Sequence, residues 1–400
     1  MAERRAVVVG AGIGGLTVAR ALADGGWEVT VCERAPGLRP AGSGLAIAPN
    51  ALRGLDVIGE GEAVRERSAL GSGGIRSSDG RWLIATDLEK LRERFGDTMV
   101  IVRRSELVDL LARGLPDGAL RTGTEVVEVD PGDEDHPARV RTAEGTRTEA
   151  DLVVAADGID SVLRRALFPA HPGPAYSGFT AWRLDAPGLG EEIAAAEVWG
   201  RGLLAGAMPL ADGSVYAYFT ANAAPGQRTA DERAELLRRF GSWHDPIPRI
   251  IAATAEEDIL RNDVWWLREP LPALHTGRVA LLGDAAHAMT PNLGQGACQA
   301  IEDGVTLARM VAPPGGIMAG LAEYTRVRLP RTTRIVRRSA RAGGLLQSES
   351  RLVAAVRDTL IGTVARCAPG LFYGAFDQVF SWSPPQAGEP GPEAEPPDMR

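Results

Sequence analysis

Cysteine and long apolar runs are scarce in this sequence, and each shortage excludes a class of protein. The three cysteines, Cys32, Cys298 and Cys367, form no CxxC pair. The sequence therefore indicates neither a disulfide framework nor a metal site of the zinc type, and we expect buried, reduced thiols. No apolar stretch of 18 residues is present, so no membrane-spanning helix is predicted. The net charge of −8 argues against nucleic acid or an anionic membrane as the main partner.

The N-terminal segment is the one place where a targeting signal could be read. Two arginines precede a mostly apolar run from residue 6 to 22, as in a secretory signal. That run contains Gly10, Gly12, Gly14 and Gly15, which a signal peptide does not need, so we predict a cytoplasmic protein. A length of 400 residues, with 44% hydrophobic and 24% charged residues, suits a globular chain of two domains.

The order of strand and helix patterns predicts how the chain is organised. A strand at 6–9, a helix at 16–22 and a strand at 27–33 form a βαβ unit. Ser105 is predicted to cap a helix over 106–113, and Pro330 to kink or restart a long helical stretch beginning near Gly296. The predicted boundaries are 1–171 for the first part of a nucleotide-binding domain, 172–270 for a β-rich substrate domain, 271–383 for the second part with C-terminal helices, and 384–400 for a disordered Pro/Glu/Gly-rich tail.

The first motif is the glycine-rich turn Gly10-Ala-Gly12-Ile13-Gly-Gly15, between strand and helix. Gly10 permits the tight turn, Gly12 lets a pyrophosphate approach, and Gly15 lets helix pack on strand. The free N–H groups at the helix N-terminus favour an anion there. Glu33, at the end of the next strand, is placed to accept both hydroxyls of a ribose. This unit predicts a dinucleotide, but it fits NAD and FAD equally.

Two further motifs separate these alternatives. An apolar strand ends in Asp157-Gly158, with Arg164 shortly after it. A second apolar strand ends in Gly283-Asp284 and leads through Pro291 into the turn Gly294-Gln295-Gly296-Ala297. Both aspartates follow the carboxyl ends of strands, where ligands bind in open α/β sheets.

With these three motifs the chain resembles the class A flavoprotein monooxygenases of the p-hydroxybenzoate hydroxylase superfamily. Among them it is most similar to the single-component hydroxylases related to salicylate and urate hydroxylases, over nearly all of residues 1–370. The resemblance implies an α/β fold, with a Rossmann-like FAD-binding domain of the GR2 type, a mixed-sheet substrate domain and C-terminal helices. It also implies non-covalent FAD and NAD(P)H as a transient co-substrate without a second nucleotide-binding domain.

The resemblance also implies roles for individual residues. Glu33 would hold the adenosine ribose, the Val126 backbone would meet the adenine, and Asp284 would hold the ribityl chain. Arg104 would contact the cofactor, and Arg164 the phosphates of NAD(P)H. The backbone of 294–297 would face the flavin, since a helix N-terminus stabilises the negative charge of the reduced ring. The full predicted cofactor set is Gly10, Gly12, Ile13, Gly15, Glu33, Arg34, Arg104, Val126, Asp157, Gly158, Arg164, Asp284, Pro291, Gly294, Gln295, Gly296 and Ala297.

Three other features are interpreted as structural. We expect His287 to be oriented by a neighbouring carboxylate rather than to act as a catalytic base. The spacing of Cys298 to later apolar residues predicts a core thiol. The seven arginines between 326 and 341 are predicted to form a solvated helix face with acidic neighbours.

Substrate contacts are expected from the middle of the chain. Aromatic and apolar residues alternate there along predicted strands, so about half should point away from a pocket. Urate-type members carry an arginine near the position of Leu204, whereas here residues 202–208 are small and apolar. This difference predicts a bulky, largely neutral substrate. The predicted substrate set is Trp182, Arg183, Leu204, Met208 and Tyr216, with Trp199 and Tyr218 also considered, and the predicted catalytic set is Pro291, Arg183 and Tyr216.

Together these features predict an FAD-dependent monooxygenase that uses NAD(P)H and dioxygen. By resemblance, a C4a-hydroperoxyflavin would hydroxylate or epoxidise an aromatic or terpenoid small molecule, and the protein would be a monomer or homodimer. Two alternatives stay open, because fold alone does not fix the reaction. One is an FAD oxidase or dehydrogenase, and the other is a flavoprotein without turnover.

Overall fold

The computed structural model describes residues 4–38, 44–67, 73–190, 193–312 and 316–385. Its strands are β1 Arg5–Val9, β2 Glu28–Cys32, β3 Gly44–Ile47, β4 Gly73–Ser77, β5 Trp82–Thr86, β6 Val100–Arg103, β7 Leu120–Arg121, β8 Val126–Asp130, β9 Ala138–Thr142, β10 Arg147–Ala150, β11 Leu152–Ala155, β12 Ala175–Ala186, β13 Ala195–Trp199, β14 Leu203–Pro209, β15 Val215–Asn222, β16 Leu260–Trp266, β17 His275–Thr276 and β18 Val279–Leu281. Its helices are α1 Ile13–Asp24, α2 Pro49–Val57, α3 Gly61–Arg65, α4 Leu88–Phe95, α5 Arg104–Arg113, α6 Val162–Leu167, α7 Glu232–Phe240, α8 Ile247–Ala253, α9 Asp284–His287, α10 Gly296–Met310, α11 Ile317–Leu346, α12 Arg351–Cys367, α13 Pro369–Gly374 and α14 Asp377–Phe380.

The first sheet carries the nucleotide-binding motifs. Its order is β17-β18-β11-β1-β2-β7, with parallel pairing throughout except at β17. The apolar runs of β1, β11 and β18 are buried, as expected for parallel strands covered on both faces. Helices α1 and α10 pack so closely at Gly304 that a Cβ there would lie 2.9 Å from the Val18 nitrogen. The ends of β1, β11 and β18 thus bring all three motifs to one edge.

The second sheet has the order β16-β12-β15-β14-β13-β4-β5. Its pairs are antiparallel except for β13 and β4, which are parallel. Five of its strands lie within the predicted segment 172–270. The other two, β4 and β5, come from residues 73–86, which the sequence analysis placed in the first segment. That boundary missed them because strand pairing between distant segments leaves no local pattern.

The long helix α11 does not restart at its proline, although a restart was one of the two outcomes expected there. It runs without interruption from Ile317 to Leu346, with Pro330 inside. Proline removes one helical hydrogen bond, while side chains on both sides anchor the helix to the first domain. The Tyr324 hydroxyl donates to the Leu281 carbonyl at 3.0 Å, and Ser339 donates to the Thr290 carbonyl at 2.6 Å. These contacts explain why the helix does not restart.

Two local predictions were wrong. Strand β6 runs directly into α5, so the N-cap position falls on Arg103 and Ser105 caps nothing. Cys32 and Cys298 are buried as predicted, but Cys367 is exposed at the end of α12. Residues 386–400, most of the predicted tail, lie outside the described residues.

Candidate flavin and substrate site

The glycine-rich turn forms a tight loop held by the Glu33 carboxylate. Gly10 has a φ of +104°, and a Cβ there would lie 2.4 Å from the Ala156 carbonyl oxygen. The carboxylate of Glu33 accepts hydrogen bonds from the amides of Ala11 and Ala35, both at 2.8 Å. A Cβ on Gly12, in contrast, would meet no atom within 4 Å. The loop is therefore closed on the strand side and open at Gly12, as a pyrophosphate cradle requires.

The Gly-Asp segment presents a carboxylate and a helix N-terminus at the same edge. Asp284 is exposed at the start of α9, without a hydrogen-bond or ion-pair partner among the described residues. The turn after Pro291 ends at Gly294 with a φ of +62°, and α10 begins at Gly296. A Cβ on Gly296 would meet no atom within 4 Å. Amides of a 15-residue helix thus face open space beside a free carboxylate.

A buried amide pair lies directly behind this turn. Gln295 and Asn50 are at most 1% exposed, and the Asn50 amide donates to Gln295 Oε1 at 3.0 Å. Gln295 Nε2 and Asn50 Oδ1 are left without a partner among the described residues. Buried polar atoms usually have a partner, so these two are available to a ligand or to an ordered water. Sequence reasoning named Gln295 but missed Asn50, whose only signal was an asparagine beside a proline.

The Asp-Gly motif has a different geometry from the one expected. Asp157 Oδ2 accepts from the Val162 amide at 2.9 Å and so holds the start of α6, while Oδ1 has no partner among the described residues. Arg164 is 1% exposed and donates to the carbonyls of Ala285 and Ile159 at 3.0 and 2.5 Å. Burial lowers the pKa of this guanidinium. The side chain ties two loops together, and this position does not fit a surface contact to nicotinamide phosphates.

A buried charge network supports the Gly-Asp turn from α10 and α11. Asp303 is fully buried and accepts from the Gly283 amide at 3.0 Å and from His287 Nε2 at 2.5 Å. Arg328 donates to Asp303 at 2.6 Å and also to Glu302. Burial raises the pKa of Asp303, but His287 and Arg328 lower it by more than burial raises it. The pKa of Asp303 is therefore far below its usual range. His287 is oriented by a carboxylate, in agreement with the structural interpretation.

This network corrects the prediction of a solvated arginine face on α11 for two of its seven arginines, while Arg326, Arg337 and Arg341 are exposed as predicted. Arg328 is 1% exposed, and Arg331 donates to Glu302 at 2.7 and 2.8 Å from a largely buried position. The helix packs against α10, so one side of its arginine-rich sequence turns inward. Acidic partners were correctly expected, but those of Arg328 and Arg331 are buried. Arg326, which pairs with Glu323 at 2.6 Å on the exposed side, does follow the prediction.

The second sheet turns alternate side chains toward the first domain. Tyr216 and Met208 pack against Ala46 and Ile101, which belong to β3 and β6. Arg183, on the neighbouring strand, lies on the same face and lowers the pKa of Tyr216, although burial raises it overall. Tyr216 is therefore a neutral phenol at neutral pH.

Two of the predicted substrate residues are placed differently. Trp182 is fully buried on the opposite face, where its Nε1 donates to Glu232 at 2.8 Å and Arg261 stacks at 4.7 Å. It cannot contact a ligand between the domains, because alternation turns it into the core with α7 and α8. Leu204 has the expected facing but is 3% exposed and packs against Leu346.

The remaining predicted cofactor residues differ in their exposure. Arg34 and Arg104 are exposed, Ile13 and Val126 are buried, and Gly158 has a φ of +82° with open space at its Cβ. Beside the flavin edge, Gly294 approaches Ala46, since a Cβ on Gly294 would lie 3.9 Å from that of Ala46. Ala46 in turn contacts the Tyr216 cluster. The edge that carries the three motifs and this face of the second sheet thus meet at β3.

Comparison with known proteins agrees with this geometry. The sequence profile described as "FAD binding domain" matches residues 3–339. The chain belongs to this family of FAD-dependent monooxygenases. It is 37% identical to the aurachin C monooxygenase/isomerase of Stigmatella aurantiaca, covering 89% of this chain and 93% of that one. It is 33% identical to the 2-heptyl-3-hydroxy-4(1H)-quinolone synthase of Pseudomonas aeruginosa, covering 90% and 94%.

A solved relative confirms the fold of this monooxygenase. The crystal structure of Klebsiella pneumoniae HpxO complexed with FAD and uric acid aligns with a TM-score of 0.87 at 27% identity, covering 94% of this chain and 97% of that one. The predicted α/β fold, the FAD cofactor and the monooxygenase class are therefore confirmed. None of the helices in the described residues is long and apolar enough to cross a membrane.

The site fits FAD in the residues it presents. An open glycine cradle, a free carboxylate, exposed helix amides and unpaired buried amide atoms stand along one edge. When bound, FAD supplies the redox chemistry, with reduction by NAD(P)H and transfer of oxygen from dioxygen to the substrate. The protein contributes position, a helix dipole and a face that excludes water.

Proposed function

We propose that this monooxygenase hydroxylates or epoxidises a bulky, largely neutral aromatic or terpenoid molecule bound between the flavin edge and the second sheet. The observation that carries the proposal is the composition of that sheet face along β14. Leu204, Gly206 and Met208 point toward the first domain, and none carries a charge. A free carboxylate against such a wall would lose hydration without gaining a partner there. The quinolone in the name of the Pseudomonas aeruginosa relative is likewise bulky and neutral, a bicyclic ring with an alkyl chain.

Roles for the cofactor residues are part of the same proposal. Glu33 holds the adenosine ribose, Asp284 the ribityl chain and the amides of 294–297 the flavin ring. The partner-free Asp284 and the open space at Gly12 and Gly296 support these roles. Pro291 is exposed at the turn before these amides, where it would shape the oxygenation site.

Tyr216 and Arg183 are proposed to contact the substrate from the other side. Tyr216 of β15 packs against Ala46 of β3, next to the cofactor edge. Its neutral hydroxyl is available to donate a hydrogen bond. Arg183 donates to Asn262 at 3.1 Å from a partly exposed position, so it is not committed to a buried ion pair. Arg183 lies on β12, which pairs with the strand of Tyr216.

A panel of substrates tests the proposal. Oxidation of NAD(P)H by the purified protein is measured with 2-heptyl-4(1H)-quinolone, indole and a terpenoid alkene against salicylate, 3-hydroxybenzoate and urate. We expect the neutral compounds to stimulate oxidation at lower concentration and to incorporate oxygen. Efficient turnover of salicylate or urate, with no response to the neutral compounds, would overturn the substrate class.

We also propose that the enzyme is a cytoplasmic monomer or homodimer. The two buried cysteines need no oxidation to fold, and NAD(P)H is supplied inside the cell. Light scattering coupled to gel filtration measures the mass in solution. A mass above that of a dimer would contradict the proposed assembly.

A further inference from the structure

Glu197 places a carboxylate on the face of the second sheet that also carries Leu204, Met208 and Tyr216. Glu197 lies on β13, on the face turned toward the first domain. Its Oε1 accepts from Trp199 Nε1 and its Oε2 from the Tyr218 hydroxyl, both at 2.5 Å. The cluster around Trp199 also includes the apolar side chains of Leu204 and Leu346, and the charge of Arg357 acts on the carboxylate as well. A carboxylate is costly to bury in such surroundings, so its presence needs an explanation.

Three neighbouring strands are arranged to make the hydrogen bond from Tyr218. In the sheet register Glu197 is opposite Gly206, and Gly206 is opposite Tyr218. The tyrosine must therefore cross a whole strand to reach the carboxylate. A Cβ on Gly206 would lie 2.1 Å from Tyr218 Cε1 and 2.7 Å from its hydroxyl oxygen. The ring lies over the glycine, and any larger residue there would displace it.

Tyr218 also connects this carboxylate with the flavin edge. Its ring packs with the cluster of Tyr216, Met208 and Ala46, and with the cluster of Leu204 and Trp199. The ring centroids of Tyr216 and Tyr218 are 6.0 Å apart. Because Ala46 adjoins Gly294, the path from the flavin cradle to Glu197 runs through these two tyrosines. Glu197 thus belongs to the proposed substrate face rather than to the remote core.

A second tryptophan-bound glutamate, Glu232 at the start of α7 on the other face of the sheet, shows what a purely structural carboxylate looks like. Glu232 accepts from Trp182 Nε1 at 2.8 Å, and Arg261 pairs with it at 3.0 Å, so its charge is neutralised. Glu197 has no ion-pair partner among the described residues, and burial raises its pKa despite the two donors and the charge of Arg357. It also keeps some accessible surface. A carboxylate offers about four lone-pair positions, and only two are used here.

Resting on the proposed function, we propose that Glu197 determines substrate specificity by accepting a hydrogen bond from a ring N–H or O–H of a neutral aromatic substrate. Tyr218 and Trp199 are positioning residues that hold the carboxylate in place. The substrate class is narrowed from neutral aromatics to neutral aromatics that carry a hydrogen-bond donor on the ring.

The test compares donor-bearing compounds with their methylated forms. The FAD-loaded enzyme is titrated with 2-heptyl-4(1H)-quinolone and 1-naphthol, and with the N-methyl and O-methyl derivatives, and binding is read from the flavin absorption. NAD(P)H oxidation and oxygen incorporation are measured in parallel. The variants are Glu197→Gln and Tyr218→Phe, and Glu232→Gln is the matched control on the opposite face.

We expect methylation to weaken binding roughly tenfold or more in the wild type and in Glu232→Gln. In Glu197→Gln this preference should be lost, and in Tyr218→Phe reduced, with the flavin spectrum before titration unchanged. Equal binding of parent and methylated compounds by the wild type, or an unaltered preference in Glu197→Gln, overturns the inference even if oxygen is incorporated. Binding that depends on Glu197 without oxygen incorporation would instead support the inference and overturn the proposed function. Binding of none of the four compounds would overturn the inferred substrate class.

Discussion

Removing Arg328 should destabilise the protein far more than removing its neighbour Arg326. Arg328 is 1% exposed and is bound by two fully buried carboxylates, Glu302 and Asp303. Loss of one partner from a buried pair costs about 3–5 kcal/mol. Because Asp303 keeps His287 and Glu302 keeps Arg331, we expect a loss toward the lower end of that range. Arg326 pairs with Glu323 at the surface, where an exposed ion pair contributes about 1 kcal/mol or less. Methionine replaces either side chain with a similar length and no charge.

The assay is urea unfolding of the FAD-loaded wild type, Arg328→Met and Arg326→Met, followed by fluorescence. The expected losses in free energy of unfolding are about 3–5 kcal/mol and under about 1 kcal/mol. Acid should narrow the gap. Asp303 has a lowered pKa in the folded wild type, so its contribution is present above the unfolded pKa and is lost as pH falls through the folded one. In Arg328→Met the lowering by Arg328 is lost while that by His287 remains, so the pKa of Asp303 is higher than in the wild type and the penalty shrinks as pH falls. Equal losses for the two variants, or a gap that widens in acid, would refute this account.

Further predictions concern the cofactor edge and the substrate face. Glu33→Ala and Asp284→Ala should each weaken FAD retention by about 1.5–3 kcal/mol, read as an increased Kd for FAD after gel filtration, and full occupancy in both would contradict the proposed roles. Arg164→Ala should lower the melting temperature and leave the KM for NAD(P)H unchanged, because the guanidinium donates to two carbonyls. A raised KM at unchanged stability would show that Arg164 does contact the phosphates of NAD(P)H. Gly206→Ala should displace the Tyr218 ring and raise the KM of donor-bearing substrates with little change in FAD content, and an unaltered KM would show that the ring's position is unimportant.

The cofactor edge was predictable because its information is local. The turn from Gly10 to Gly15 and the Gly283-Asp284 segment each combine a strand end with glycines, and strand ends of one parallel sheet must meet. Glu33 followed from its place at the end of β2. Its hydrogen bonds to the Ala11 and Ala35 amides could not be predicted, since they depend on how the loop closes.

The substrate face was less predictable because it depends on pairing between distant segments. Alternation along β12 shows that Trp182 and Arg183 face opposite ways, but not which of them faces the first domain. The contact between Glu197 and Tyr218 depends on the register of three strands. The sequence indicates only that Glu197 and Trp199, two residues apart on one strand, share a face. The burial of Arg328 likewise depends on the rotation of α11 against α10, which its arginine-rich sequence does not specify.

The central claim is that this chain transfers an oxygen atom from dioxygen to an organic substrate. The most direct measurement is turnover of a stimulating neutral aromatic under isotopically labelled dioxygen, with mass spectrometry of the product and quantification of hydrogen peroxide. The account predicts one labelled oxygen atom per product molecule, one NAD(P)H consumed per oxygen inserted, and loss of the reaction when FAD is removed. A product oxidised without label, accompanied by equimolar hydrogen peroxide, would show an oxidase on the same fold and contradict the account.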